Sequence, residues 1–386
     1  MEYLFWIPAL LVFHSYILYP IILRILTSKE KKKIDLFSLE DNLPSISILM
    51  AVHNEESVIA KKIESIFSTN YPVHKIEVII GSDSSTDRTN DILSEKTILH
   101  PQLQYFIFER RGKANTINEL LDKSTGEIII STDANVFFTQ TTIFELVKHF
   151  KNDQIGLVDS RMRNTGLQSH GISIQESTYI NREVLIKNRE GRIWGSMMGP
   201  FGGCFATRRS CYNKVPSTFF MDDFYICMRV IEQGFKTINS LDADVYEDVS
   251  NQSHEEFRRK VRISIGNFQN LFRFKGLLLP PWKGRAFAFI SHKAIRWVGP
   301  ILIIIALLAN IALARENNAY LTVLVIFLVS FLLLPLDFFL KRINIHITFV
   351  RFVTHFYGMN LALLVGFYKF IKGVKSNVWQ PTQRNQ

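Results

Sequence analysis

Residues 3 to 26 read "YLFWIPALLVFHSYILYPIILRIL", a stretch whose only Lys, Arg, Asp or Glu is Arg24. A helix of roughly 20 mostly apolar residues crosses a bilayer, so this segment is long enough to do so. Three comparable stretches lie towards the other end, at 297 to 314, 319 to 336 and 352 to 368, the last carrying His355 and Asn360. Together they dictate a chain with apolar helices at both ends and a water-facing part between them. A cleaved signal peptide would pair a short apolar core with a small-residue cleavage site. The first stretch is longer and runs into Arg24 and "SKEKKK", which predicts a retained anchor over 1–28.

Lys29, Lys31, Lys32 and Lys33 follow that anchor, and the positive-inside rule then predicts a cytoplasmic domain after it. One span before the domain and three after it would leave the C-terminus outside, whereas Lys369, Lys372, Lys375 and Arg384 favour the cytoplasm. A re-entrant 352 to 368 would reconcile the two. The stretch "RAFAFISHKAIRW" (285 to 297) is expected to enter from the cytoplasmic interface, with Lys293 and Arg296 reaching to the headgroups. The net charge of +10 sits largely beside the apolar segments, at 29 to 33, 258 to 262, 341 to 342 and 369 to 375. Contact with membrane lipids explains such placement, and no nucleic-acid partner is expected. Cys204, Cys211 and Cys227 are odd in number and lack zinc-type spacing, so they predict neither a disulfide framework nor a metal site.

Between the anchors, β-rich and helical runs alternate. "SISILMAV" (45 to 52) precedes "EESVIAKKIESIF", "KIEVIIG" (75 to 81) precedes "TDRTNDILSEKTI", and "LQYFIF" (103 to 108) precedes "KANTINELLDK", before "GEIIIST" (126 to 132). This order predicts an α/β fold with a parallel sheet covered on both faces. Ligands of such sheets bind outside the carboxyl ends of the strands. Asn54 and Glu55 follow the first strand, Asp83 to Asp87 the second, Arg110 to Lys113 the third and Asp133 to Asn135 the fourth. Each group alone reads better as turn, cap or solvated first-turn residues. Four on one edge point to a site for an activated phosphate compound, where a carboxylate pair, or a carboxylate and an amide, can hold a divalent ion that neutralises a pyrophosphate leaving group. Neither GxGxxG after the first strand nor GxxxxGK[ST] is present, which argues against dinucleotide and P-loop chemistry.

Six pieces in order, "HNEE" (53 to 56), "DSSTDRT" (83 to 89), "RGKANTIN" (111 to 118), "STDAN" (131 to 135), "GGCFATRR" (202 to 209) and "MDDFYICMRVIEQGF" (221 to 235), resemble the membrane-integrated family 2 glycosyltransferases. These are relatives of hyaluronan, chitin, cellulose and poly-N-acetylglucosamine synthases. The resemblance implies a Rossmann-like GT-A nucleotide-sugar domain over 44–262, with N- and C-terminal transmembrane helices. An interfacial segment over 263–294, helices over 295–372 and a polar tail over 373–386 would follow. It places Glu55 and Asp83 on the uridine, Lys113 on the uracil or phosphates, and Asp133 on the diphosphate and its Mg²⁺ or Mn²⁺. Asn135 stands where the family has a second carboxylate, and an amide oxygen ligates more weakly than a charged one. Asp223 matches the base that deprotonates the acceptor hydroxyl, with Asp222 its neighbour; both also read as helix-capping residues. Gly202, Gly203 and Cys204 match the segment under the acceptor, with Arg208 and Arg209 expected to support it.

The family's processive members carry Q-x-x-R-W after the base. Here the stretch is "RKVRI" (259 to 263), so Arg262 keeps the acceptor-side arginine while Ile263 replaces the tryptophan that stacks on the acceptor sugar. The leading expectation is therefore a multi-pass cell-membrane enzyme with a cytoplasmic catalytic domain. It would move a sugar from a nucleotide-sugar, UDP-linked by the resemblance, to a glycan or lipid-linked acceptor with inversion. A processive synthase exporting its polymer, a nucleotidyltransferase using the same edge, and a non-catalytic membrane sugar-nucleotide sensor are the alternatives.

Overall fold

The computed structural model describes residues 1–28, 35–166, 173–248, 253–343, 345 and 347–374. Lys29, Lys31, Lys32, Lys33, Lys375 and Arg384, on which the orientation argument leans, lie outside the described residues. The chain forms two compact units. One comprises Met1–Ile25, Leu167–Tyr179 and Ser250–Gly373; the other comprises Leu26–Gly166, Ile180–Val249 and Val374–Gln386.

The second unit is built on an eight-stranded sheet ordered β3-β2-β1-β4-β7-β6-β8-β5. Strand β1 (Ile46–Val52) is buried along its whole length, as a run of β-formers covered on both faces must be. It pairs in parallel with β2 (Ile76–Asp83) and β4 (Ile128–Thr132), and β2 pairs in parallel with β3 (Leu103–Phe108). Helices α2 (Ile59–Phe67), α3 (Thr89–Leu99) and α4 (Lys113–Lys123) make the crossovers between them. Helix α2 turns Ile59, Ile63 and Ile66 inward, the i, i+4, i+7 stripe of an amphipathic helix. The expected alternation is thus realised, with all four strands ending on one edge.

Beyond β4 the sheet becomes mixed. β7 (Cys204–Arg208) runs antiparallel to β4, with Cys204 opposite Thr132. Strand β6 (Ile155–Thr165) pairs antiparallel with β7 and parallel with β8 (Lys236–Asp248), and β8 carries the short β5 (Val136–Phe138) at the far side. Because β7 is reversed, its first residue lies beside the last residue of β4. That reversal brings the "FGGC" segment to the edge where the parallel strands end. Helix α5 (Thr142–Val147) covers β8, and α6 (Ser173–Trp194) and α7 (Asp222–Glu232) complete the described helices before β8.

The first unit is helical. Its α1 (Glu2–Thr27), α9 (Gly284–Leu313), α10 (Asn318–Arg342) and α11 (Thr348–Ile371) are long and apolar enough to cross a membrane. Residues 285 to 297 form the start of α9, because no proline or glycine interrupts the helix before Gly299. Helix α8 (Ser253–Arg273) packs on α11, with Ser264 Oγ donating to Leu363 O at 3.0 Å. Gly366 is required there: a Cβ on it would fall 2.3 Å from the Ser264 side chain.

Candidate active site

The turn after β1 and the turn after β2 are tied together. Asn54 and Ser84 both adopt positive φ, 55° and 61°, an uncommon conformation for side-chain-bearing residues that clusters at ligand sites. Asn54 Oδ1 accepts from the Thr86 backbone amide at 2.8 Å, and the Glu55 amide donates to Thr89 Oγ1 at 2.9 Å. Glu55 is therefore held by its backbone, half-buried, at the mouth of this edge.

Asp83 ends β2 at 1% exposure and is fully engaged. Its carboxylate accepts from Arg110 Nη1 at 2.9 Å, from the Arg111 amide at 2.7 Å and from the Gly112 amide at 3.0 Å. These bonds fix the loop that launches α4 and so aim Lys113. The Lys113 ammonium lies 2.8 Å from Asp133 Oδ1 and 3.6 Å from Asp222 Oδ2. Burial disfavours its charge, but Asp133, Asp222 and Asp223 outweigh burial and raise its pKa above the usual lysine value.

Asp133 follows β4 and keeps a third of its side chain exposed. Its amide donates to Gly203 O at 3.0 Å, the carbonyl that also accepts from Thr132 Oγ1 at 3.0 Å. Asn135 is 5% exposed and turns its amide nitrogen to Glu247 Oε1 at 3.1 Å. Among the described residues no cluster of three or more His, Cys, Asp or Glu forms a ready-made cation cage.

Asp222 and Asp223 open α7, where carboxylates are favoured by the helix dipole. Asp223 is 5% exposed. Burial, then repulsion from Asp222, pushes its pKa up to about 7 against the opposing pull of Lys113. A carboxylate with that pKa is poised to take a proton near neutral pH. Gly202 carries φ +83°, and a Cβ there would lie 2.6 Å from Asp223 Oδ2, so only glycine brings the backbone so near the carboxylate. Gly203 is less confined: it has no positive φ, and its Cβ would meet the flexible end of Met162, Cε, at 2.5 Å.

The sheet unit thus gathers Glu55, Asp83, Lys113, Asp133, Asn135, Gly202, Gly203, Cys204 and Asp223 on one edge. Cys204 is buried at the start of β7, and burial pushes its thiol up to about 12. Arg262 belongs to the helical unit, on α8, and is not among the groups this unit brings together. Arg208 and Arg209 anchor the opposite end of β7: Arg208 donates to Phe150 O at 2.9 Å and Arg209 to Ser124 Oγ at 2.7 Å.

Three residues went unnoticed in the motifs. Lys62, fully buried on the inner face of α2, donates to Thr132 Oγ1 at 3.0 Å and to Val136 O, bracketing the Asp133 turn. Its signal was positional, a lysine between Ile59 and Ile66 on the apolar stripe. Asp159 and Lys187 form a buried pair at 3.6 Å; Asp159 Oδ1 accepts from the Phe201 amide at 3.4 Å, and the Lys187 ammonium lies 3.4 Å from the Phe201 ring centre. Lys187 shares the inner stripe of α6 with Ile180 and Val184, seven and three residues earlier.

The sheet unit has the GT-A fold, with its polar residues and the buried Asp223 collected on one edge. Residues 47–215 match the family model described as Glycosyl transferase family 2. It is 33% identical over 126 residues to beta-monoglucosyldiacylglycerol synthase of Nostoc sp. (strain PCC 7120 / SAG 25.82 / UTEX 2576), covering 32% of this chain and 27% of that protein. It is 25% identical over 244 residues to the probable glycosyltransferase YdaM of Bacillus subtilis (strain 168), 60% of this chain and 57% of that one. It is 31% identical over 130 residues to poly-beta-1,6-N-acetyl-D-glucosamine synthase of Staphylococcus epidermidis, 33% of this chain and 31% of that one. These matches span between 27% and 57% of the relatives' lengths. Among solved structures, the mannosyltransferase PcManGT from Pyrobaculum calidifontis in complex with GDP-Man and Mn²⁺ shares the fold, with TM-score 0.71 at 20% identity over 95% of this chain and 99% of that one.

Proposed function

We propose that this chain is a membrane-bound inverting glycosyltransferase. It takes a sugar from a nucleotide-sugar, UDP-linked by the motif resemblance, and passes it to a glycan or lipid-linked acceptor in cell-envelope or extracellular polysaccharide synthesis. The carrying observation is Asp223, a buried carboxylate against the backbone of Gly202, on the edge where Lys113 and Asp133 meet, with burial and Asp222 raising its pKa.

In this reading Lys113 and the turn that bears Asp133 receive the diphosphate, while Glu55 and the loop fixed by Asp83 frame the base. Asp223 takes the proton from the acceptor hydroxyl as its oxygen bonds to the anomeric carbon and the bond from that carbon to the diphosphate breaks. Attack from the face opposite the leaving group inverts the configuration. The Gly202 to Cys204 segment would let the acceptor sugar lie against bare backbone. One exposed carboxylate together with substrate phosphates is a donor set that Mg²⁺ or Mn²⁺ accepts, so Asp133 fits a divalent ion, with Asn135 contributing through its amide oxygen. Bound there, the ion would neutralise charge on the departing diphosphate. The Mn²⁺ and GDP-Man bound by the structural neighbour support a donor site of this kind.

The four apolar helices support a multi-pass membrane location; the lysines that follow the first apolar stretch support a sheet unit in the cytoplasm. Incubating membranes that contain the protein with a panel of UDP- and GDP-sugars, and weighing the products, tests the reading. A glycosylated lipid or glycan that is absent with Asp223→Asn is expected. Release of pyrophosphate, or donor binding without transfer to any acceptor, would overturn it.

A further inference from the structure

We infer that the helical unit contains a binding pocket for one phosphate-bearing lipid, distinct from the sugar-transfer site. A cavity of about 190 Å³ opens among α8, α10 and α11. None of the residues assigned above to donor, acceptor or base lines it. The inference rests on the proposal that these helices lie in a membrane.

The wall formed by α11 changes character along its length. Arg351, Thr354 and His355 line the cavity in the first turns, and Gly358, Met359 and Ala362 line it in the next. The spacing puts all six on one helical face, and the 11 residues from Arg351 to Ala362 span about 16 Å at 1.5 Å per residue. A headgroup followed by the first carbons of a tail has the same polarity profile and a similar depth. The polar end lies where α10 finishes, at Lys341 and Arg342, and α11 begins, which is the water-facing limit of two candidate spans.

The ionic groups favour an anion. The lining carboxylate Asp337 lies 2.6 Å from Lys341, and Glu256 lies 3.1 Å from Lys260. Behind the wall, Glu176 lies 2.6 Å from Lys260 and 3.2 Å from Arg259. Among the described residues, the lining itself holds the cations Lys260, Lys341 and Arg351 with the carboxylates Glu256 and Asp337. Ionisable groups within apolar helices are costly, and basic pockets between such helices suit anionic headgroups. The tail end has open space: a Cβ on Gly358 would meet no atom within 4 Å.

That space supplies the test. Gly358→Leu starts from a Cβ that meets no atom within 4 Å and should fill the tail end, while Lys341→Gln weakens the headgroup end. The full chain, purified in detergent, is titrated with dioctanoyl phosphatidylglycerol, and bound lipid is counted by native mass spectrometry. Dioctanoylglycerol and inorganic phosphate serve as probes lacking the phosphate and the tail. One phosphatidylglycerol per chain is expected, with at least tenfold weaker binding in each variant, an unchanged melting temperature in Gly358→Leu, and weak binding of both partial probes. Undiminished binding in Gly358→Leu, or equal affinity for either partial probe, would overturn the inference. Alkaline extraction of the chain from membranes would refute the membrane reading separately, and leaves those lipid titrations to judge the pocket on their own.

Discussion

Gly202 and Asp223 are so close that a single methyl group on the glycine would lie 2.6 Å from the carboxylate oxygen. Gly202→Ala is therefore expected to push Asp223 off its position and strain a backbone with φ +83°. Displacing a reacting group by about 1 Å costs on the order of 10² in rate. Turnover should fall by that order while donor affinity, measured by calorimetry, stays within about twofold. Wild-type turnover would remove Gly202 from the site.

Asp223→Asn should reduce transfer by about 10² to 10⁴ with little change in donor binding, since the base acts on the acceptor. In the wild type, kcat/KM should fall as pH drops through about 7, where Asp223 takes up its proton. The same residue should cost stability. Its folded pKa exceeds the ordinary 3.8, so the folded chain binds the proton more tightly and stability declines as pH rises from about 4 to 7. Asp223→Asn should then melt higher than wild type at pH 8. A flat pH profile together with a lower melting temperature would show that Asp223 is not the titrating base.

Asp133→Ala should abolish the dependence of donor binding on a divalent ion and most of the affinity with it. Asn135→Asp should tighten metal binding, because a second charged oxygen joins the first. Titrating donor with and without Mn²⁺ decides both. Equal affinities for wild type and Asp133→Ala would defeat the assignment.

Burial drags the Lys62 pKa from 10.5 down to about 7, with Cys204 and Asp133 pulling it back up. Between those values the unfolded chain holds a proton that the folded chain releases, so stability rises with pH across that window. Lys62→Met should flatten the rise between pH 7 and 9.5 in melting curves. It should also weaken donor binding by loosening the turn at Thr132 and Val136. A variant with the wild-type slope would place that pH dependence on another group.

Ile263 offers no aromatic face for a sugar ring. Stacking contributes roughly 0.5 to 1.5 kcal/mol beyond burial, and about 1.4 kcal/mol is tenfold in affinity. A growing chain should be released early, giving glycosides extended by one or a few sugars. With donor in excess and protein in lipid, sizing should show a ladder of single additions; high-molecular-weight polymer from the first turnovers would contradict this.

The parallel half of the sheet was legible because each of its strands is a contiguous run of β-formers followed by its own polar residues. Asp83, Lys113 and Asp133 could therefore be placed on one edge by counting. The antiparallel half was not read as strands. The partners of β7 are β4, some 70 residues earlier, and β6, and no periodicity marks such long-range pairing. Lys62, Asp159 and Lys187 escaped for a related reason. A buried charge looks like a solvated one until its partner is known, and Asp159 and Lys187 reach Phe201 only through the folded chain.

The reversed strand β7 also acts as a ruler. Each of its residues advances about 3.3 Å, and a slip of one position against β4 would turn every side chain to the opposite face. The gap between the turn that bears Asp133 and the Gly202 to Cys204 segment is thus graduated in the backbone pairing of β4 with β7 from Thr132 and Cys204 outward, not in side chains. On the proposed reading, changes in the loops around this edge would alter which sugar is recognised, while the reach from one substrate to the other would stay the same.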